Sequence, residues 1–130
     1  MAYALSTTVD GPFAEVLEAT RAALGDQGFG VLTEIDLAAT LKAKIGAEIP
    51  AQVILGACRP VLAHAAVQAE PSVGLLLPCN VVVRSLDDDT TLVEALDPAV
   101  MVTLTDNQDL STVATDAGAR LAAALGALTA

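Results

Sequence analysis

Two runs of β-forming residues, Asn80 to Leu86 and Thr91 to Leu96, flank the acidic triplet Asp87-Asp88-Asp89. That arrangement predicts a hairpin whose turn is the triplet. A hairpin makes sequence neighbours antiparallel, so its presence favours an antiparallel or mixed sheet over a purely parallel one. The triplet has neither the further oxygen ligands at set spacing nor the glycine turn of a calcium loop, and it reads as a solvated turn.

The rest of the chain alternates strands with helices. Tyr3 to Val9 is β-like, and Asp10-Gly11-Pro12 offers a cap and a first-turn proline for a helix through about Gly25. Phe13, Val16, Leu17 and Leu24 recur at the helical period, with Thr20 the polar member of their stripe. Gly28 to Ile35 reads as a strand with Phe29, Val31, Thr33 and Ile35 on one face and Leu32, Glu34 and Asp36 on the other. Asp36 suits the cap of a short helix carrying Leu37, Leu41 and Ile45. Gln52 to Ala57 is a third strand, and Pro60 opens a helix through Ala69 that Glu70-Pro71 ends. Gly74 to Leu77 and Asn80 to Leu86 read as one strand interrupted at Pro78. Asp97-Pro98 begins a short helical or irregular segment around Met101. Leu110, Val113, Ala114, Ala117, Leu121 and Leu125 form the buried stripe of a C-terminal helix. The expected class is α+β, a mixed or antiparallel sheet with helices packed on one face, with a doubly wound parallel fold as the competing arrangement.

A chain of 130 residues, 54% hydrophobic, suffices for a single domain spanning 1–130. Its aromatic residues are Tyr3, Phe13 and Phe29, so Leu, Val, Ile and Ala must fill the core. These bury less area per side chain than rings do, which makes association into a homodimer an expected way to cover more surface. The net charge of −10 and the scattered cations Arg21, Arg59, Arg84 and Arg120 argue against nucleic acid binding. The N-terminal residues lack a secretory signal, and no apolar run approaches the roughly 20 residues of a membrane span, so the expected location is the cytoplasm. Two cysteines there default to free thiols.

Chemistry is expected between Ala51 and Arg84, which holds both cysteines and the single histidine. Gly56, Cys58 and Pro60, then Pro78, Cys79 and Asn80, place each thiol at a break between regular elements. The 20 residues between the thiols are far from CxxC spacing, so any joint site must be assembled by the fold. Three readings stand for the thiols: small buried hydrophobes, a thiol site, or a soft-metal set of Cys58, Cys79 and His64. Helical spacing turns His64 away from the face made by Leu62, Ala65, Ala66 and Ala69, as for a solvated or interface histidine. Glu34 and Asp36 share a strand face and could act as an acid and base pair, though Asp36 also suits a cap and Glu34 a solvated position. Glu70 reads as a helix-end residue that, with Glu34, could frame a polar pocket. The glycines at 25, 28 and 30 precede a strand, the reverse of a dinucleotide-binding turn, and no serine lies in a GxSxG context.

Phe29-Gly30-Val31-Leu32-Thr33-Glu34-Ile35-Asp36, Ile54-Leu55-Gly56-Ala57-Cys58 with Pro60, Ala69-Glu70-Pro71, Gly74-Leu75-Leu76-Leu77-Pro78-Cys79-Asn80-Val81 and Asp97-Pro98 together resemble the signature of the domain of unknown function 302 family. The resemblance covers nearly the whole chain. It implies a compact α+β domain resembling the TATA-binding-protein fold, commonly a homodimer, and it brings no established activity. Arg59 departs from the pattern, where the family often has asparagine between the cysteine and the proline.

Three functions follow as expectations. The first is a cytoplasmic dimeric binding module holding a small ligand or metal near the two cysteine-bearing junctions, with Cys58, Arg59, Cys79, Asn80, Glu34 and Glu70 as candidate ligand contacts. The second is a thiol enzyme or redox carrier with Cys58 as nucleophile and Cys79 as resolving partner. The third is a structural or interaction domain without small-molecule chemistry. No cofactor is named by the residues.

Overall fold

The structure, a computed structural model, describes residues 3–129. Five strands form a single sheet in the order β1-β5-β4-β3-β2: β1 is Ala4–Asp10, β2 Gly30–Asp36, β3 Gln52–Cys58, β4 Cys79–Asp87 and β5 Thr90–Leu96. Every neighbouring pair is antiparallel, which excludes the doubly wound alternative. The helices are α1 (Phe13–Asp26), α2 (Leu37–Ile45), α3 (Pro60–Ala69), α4 (Ala99–Thr105) and α5 (Ser111–Ala127). The β4–β5 hairpin turns through the acidic triplet, where the Asp89 N–H donates to Asp87 Oδ1 at 2.9 Å. The carboxylate thereby satisfies a turn amide and the triplet stays on the surface.

The ladder register determines which side chains face the helices. Val53 lies opposite Val83, Leu55 opposite Val81 and Ala57 opposite Cys79, and these share the helix-covered side of the pleat with Val93 and Ala95 of β5. α1 covers this face with Val16, Ala23 and Leu24, and α5 adds Leu121, Ala124 and Leu125. Thr20 is buried in the α1 stripe because its hydroxyl donates to the Val16 carbonyl at 2.7 Å, so no polar atom is left unpaired there. A second apolar cluster gathers Ala66 of α3, Met101 of α4, Val73, and Leu110, Val113 and Ala114 at the start of α5. α5 is the one helix whose buried stripe enters both clusters.

Two local expectations are corrected. Residues 71–76 are a 3-10 helix, Pro71–Leu76, and β4 begins only at Cys79. Pro71 starts that helix with a φ the tight turn accepts, Val73 donates back to the Glu70 carbonyl, and Val73 and Leu76 are drawn into the second cluster. In β2 a bulge falls at Leu32: Val31 pairs with Ala57 but Thr33 pairs with Gly56. The extra residue inverts the alternation beyond it, so Thr33 and Ile35 face the open side while Glu34 faces α1. No residue of β2 is buried, and Ile35 is 45% exposed where a core position was expected. Asp36 does cap α2, accepting from the Ala39 N–H at 2.9 Å.

Gly56 is required by packing rather than by backbone conformation. On the open face Thr33 Oγ1 and the ring of Pro78 close over it, and a Cβ there would stand 2.7 Å from Pro78 Cγ, with Thr33 closer still. Because Thr33 is held in the β2 ladder opposite Gly56 and Pro78 leads directly into β4, Gly56→Ala is expected to cost about 1–3 kcal/mol of stability. Urea denaturation checks this, and an unchanged midpoint would show that Thr33 and Pro78 can move aside.

Candidate functional site

The sequence break at each cysteine becomes one wall of a small cavity. β3 ends at Cys58, Arg59 is the N-cap residue of α3 and Pro60 its first residue. On the neighbouring strand the cis Leu77–Pro78 peptide leads directly into Cys79. Ladder pairing of Ala57 with Cys79 sets these two junctions side by side. The space between them is bounded by Cys58, Arg59, Pro78 and Cys79 and roofed by apolar side chains of α3, α4 and α5, including Leu62, Met101 and Ala117. It therefore sits at the seam between the two clusters, where neither packs completely against the other. The cavity volume is about 30 Å³, within a wider hollow of about 360 Å³ that includes open solvent. An interior of that size holds a water or a short chain of heavy atoms, since one water needs roughly 10–15 Å³ on this measure.

Both cysteines are free thiols and half-buried. Cys79 follows Ala57 to the helix side of the sheet, whereas alternation sends Cys58 to the other side of the pleat. Burial pushes the Cys79 thiol above its ordinary value of 9.0, and the neighbouring Cys58 raises it further.

Arg59 lies across Gly28, whose φ of +84° and missing side chain leave room for it: a Cβ at Gly28 would meet Arg59 Nε at 3.1 Å. The Nε atom is buried and has no hydrogen-bond partner. Among the described residues Arg21, Lys42, Arg84 and Arg120 each pair with a carboxylate, and none lies within ion-pair reach of Arg59.

The other expected site residues are placed elsewhere. His64 is exposed on the outer face of α3, as its helical spacing predicts. Among the described residues no group of three or more His, Cys, Asp or Glu side chains could hold a metal ion, so Cys58, Cys79 and His64 are not assembled as a soft-metal set. Asn80 is exposed on the open face opposite Gly56. Glu34 pairs with Arg21 of α1, and Asp36 is occupied as a cap, so they are not poised as an acid and base. Glu70 accepts from Asn107 Nδ2 at 3.0 Å, and the same amide donates to the Ala69 carbonyl at 3.0 Å, clamping the end of α3 to the loop before α5. Glu34 and Glu70 do not meet at the cavity. Reading the sequence missed Leu62, Met101 and Ala117 as cavity residues, because an apolar residue at helical spacing carries the same signal whether it meets a neighbour or a void.

The profile of the family described as Domain of unknown function DUF302 matches residues 5–128. The crystal structure of an uncharacterized conserved DUF302 protein from Bacillus stearothermophilus is similar at 29% identity and a TM-score of 0.88, covering 97% of this chain and 98% of that one. No curated protein matches the chain. Among the described residues no helix is long and apolar enough to cross a membrane.

The Cys79 shift has a sign that stability must follow. Unfolded chains lose the Cys79 proton as pH rises through the ordinary thiol range, while the folded protein retains it. Folding free energy should therefore be intact below 9.0 and decline above it until the folded group also ionises. Urea titrations across this range should show that decline in the native protein and a flatter profile in Cys79→Ala. Equal slopes in the two proteins would show that burial of the thiol has no such effect.

Proposed function

The chain belongs to the family of domain of unknown function DUF302, and from that premise we propose that it is a small-molecule binding module whose ligand enters the seam cavity beside Cys58, Arg59 and Cys79. One observation carries the reading: a largely apolar hollow opens at the two cysteine junctions, bordered by Cys58, Arg59, Pro78 and Cys79. Hollows lined by apolar side chains with a few polar groups are the usual form of ligand sites. The two half-buried thiols line this hollow. The proposed location is the cytoplasm, where thiols stay reduced.

The same proposal includes a homodimer formed through β2. That strand is a free edge with an unpaired backbone, and Leu32 is 66% exposed beside Val31 and Ile35. An antiparallel edge is self-complementary about a two-fold axis, so a second copy can supply the missing partner. Light scattering should give a mass near twice the 13.1 kDa chain, and Ile35→Lys should return it to one chain. A native protein that stays at the single-chain mass at tens of micromolar would remove the dimer from the proposal.

Occupancy of the cavity is tested with 1-butanol, a neutral probe of about the right length. Methyl NMR signals of Leu62, Met101 and Val113 should shift saturably, and Ala117→Leu, which fills the hollow, should abolish the shifts. No saturable shift with 1-butanol would overturn the cavity as a binding site.

A further inference from the structure

The described residues hold three sulfur atoms, those of Cys58, Cys79 and Met101, and all three residues border the seam cavity. Chain proximity does not explain the coincidence: Cys58 ends β3, Cys79 begins β4 and Met101 comes from α4. Met101 is buried in the roof, and the two thiols belong to the adjoining junctions beneath it. Because β3 stops at Cys58, the cavity reaches the strand end and is bordered by residues from both sides of the pleat. Cys58 adds to the resistance of Cys79 to ionisation, so the two thiols stand within Coulombic reach of each other. Going beyond the reading of the cavity as an organic-ligand site, we propose that Cys58, Cys79 and Met101 form a binding site for one soft monovalent cation, Cu(I), held by two thiolates and a thioether.

Donor chemistry selects the ion. Thiolate and thioether sulfurs are soft ligands that suit Cu(I). Zinc is almost always four-coordinate, and among the described residues no fourth donor side chain borders this cavity. Nor does any described group of three or more His, Cys, Asp or Glu side chains stand ready for a harder ion. Size agrees, because a cavity of about 30 Å³ has room for an ion and little else. Metal–sulfur bonds on the order of 2.3 Å let one ion join sulfurs about 4 Å apart, so the two junctions need not touch. Binding releases the Cys58 and Cys79 protons to solvent, transfers no electron, and leaves one net negative charge on the copper and its two thiolates. Arg59, next to Cys58 in the chain, is the charged residue on the border and has the opposite sign.

Cu(I) offered anaerobically to the native protein as its bicinchoninate complex tests the site. One equivalent per chain should be withdrawn from the chelator, and X-ray absorption at the copper edge should show a first shell of sulfur alone. Cys58→Ala and Cys79→Ala should each weaken binding about a hundredfold, and Met101→Leu, which keeps the roof apolar, about tenfold. Urea transitions check that each variant folds, and the sulfur shell tests the native protein without any substitution. Native protein that takes no copper from the chelator, or a first shell containing nitrogen or oxygen, would overturn the site. So would single cysteine variants that bind as tightly as the native protein, since the thiols would then act separately. Should 1-butanol shift the methyl signals while copper is not taken up, the sulfur site fails and the organic-ligand reading stands; copper uptake without any response to 1-butanol gives the reverse.

Discussion

Packing of the α5 stripe against two apolar clusters at once joins the sheet to the layer made by α3 and α4. Leu121, Ala124 and Leu125 press on the sheet side, and Val113 and Ala114 press on the other cluster. A core without tryptophan and with few rings gains its stability from many small contacts, each about 1.5–3 kcal/mol at most for a fully buried Val or Leu. Such contacts are short-ranged, so the two clusters cannot compensate for each other across a gap. Only a rigid element long enough to reach both can couple them, and α5 runs from Ser111 to Ala127.

The cavity follows from that division. Ala117, midway along the stripe, is too small to fill the space that opens between the clusters. The junctions at Cys58 and Cys79 border the same space because the β3–β4 register puts both chain breaks at one end of the sheet. Arg59 is held beside it by Gly28 in the turn between α1 and β2. Pieces from distant parts of the chain thus meet there for separate local reasons, and the Glu70–Asn107 clamp fixes the helical layer that roofs the hollow.

Much of the architecture was legible because it depends on local rules. The period of Val16, Thr20 and Leu24 announces α1, the acidic triplet announces the hairpin, and Asp36 announces the start of α2. What stayed hidden depends on relations between strands. The Leu32 bulge inverts the faces of β2 through its pairing with β3, so alternation read along the strand alone places Ile35 in the core and Glu34 outside. Gly74 to Leu77 read as the start of a strand, yet Gly74 to Leu76 end a 3-10 helix whose Val73 and Leu76 are drawn into the second cluster. The candidate site was half legible: Cys58, Arg59 and Cys79 stand at visible breaks, but His64, Asn80, Glu34 and Glu70 are near them in sequence or motif and not at the cavity.

The extra residue at Leu32 also limits how such sheets can join. A straight strand edge offers its unpaired amides and carbonyls to any similar strand. The bulge twists the β2 edge away from a flat template. Loss of that single residue would restore a regular ladder without exchanging the side chains on either face, and would leave the β2 edge less selective about the strand it accepts.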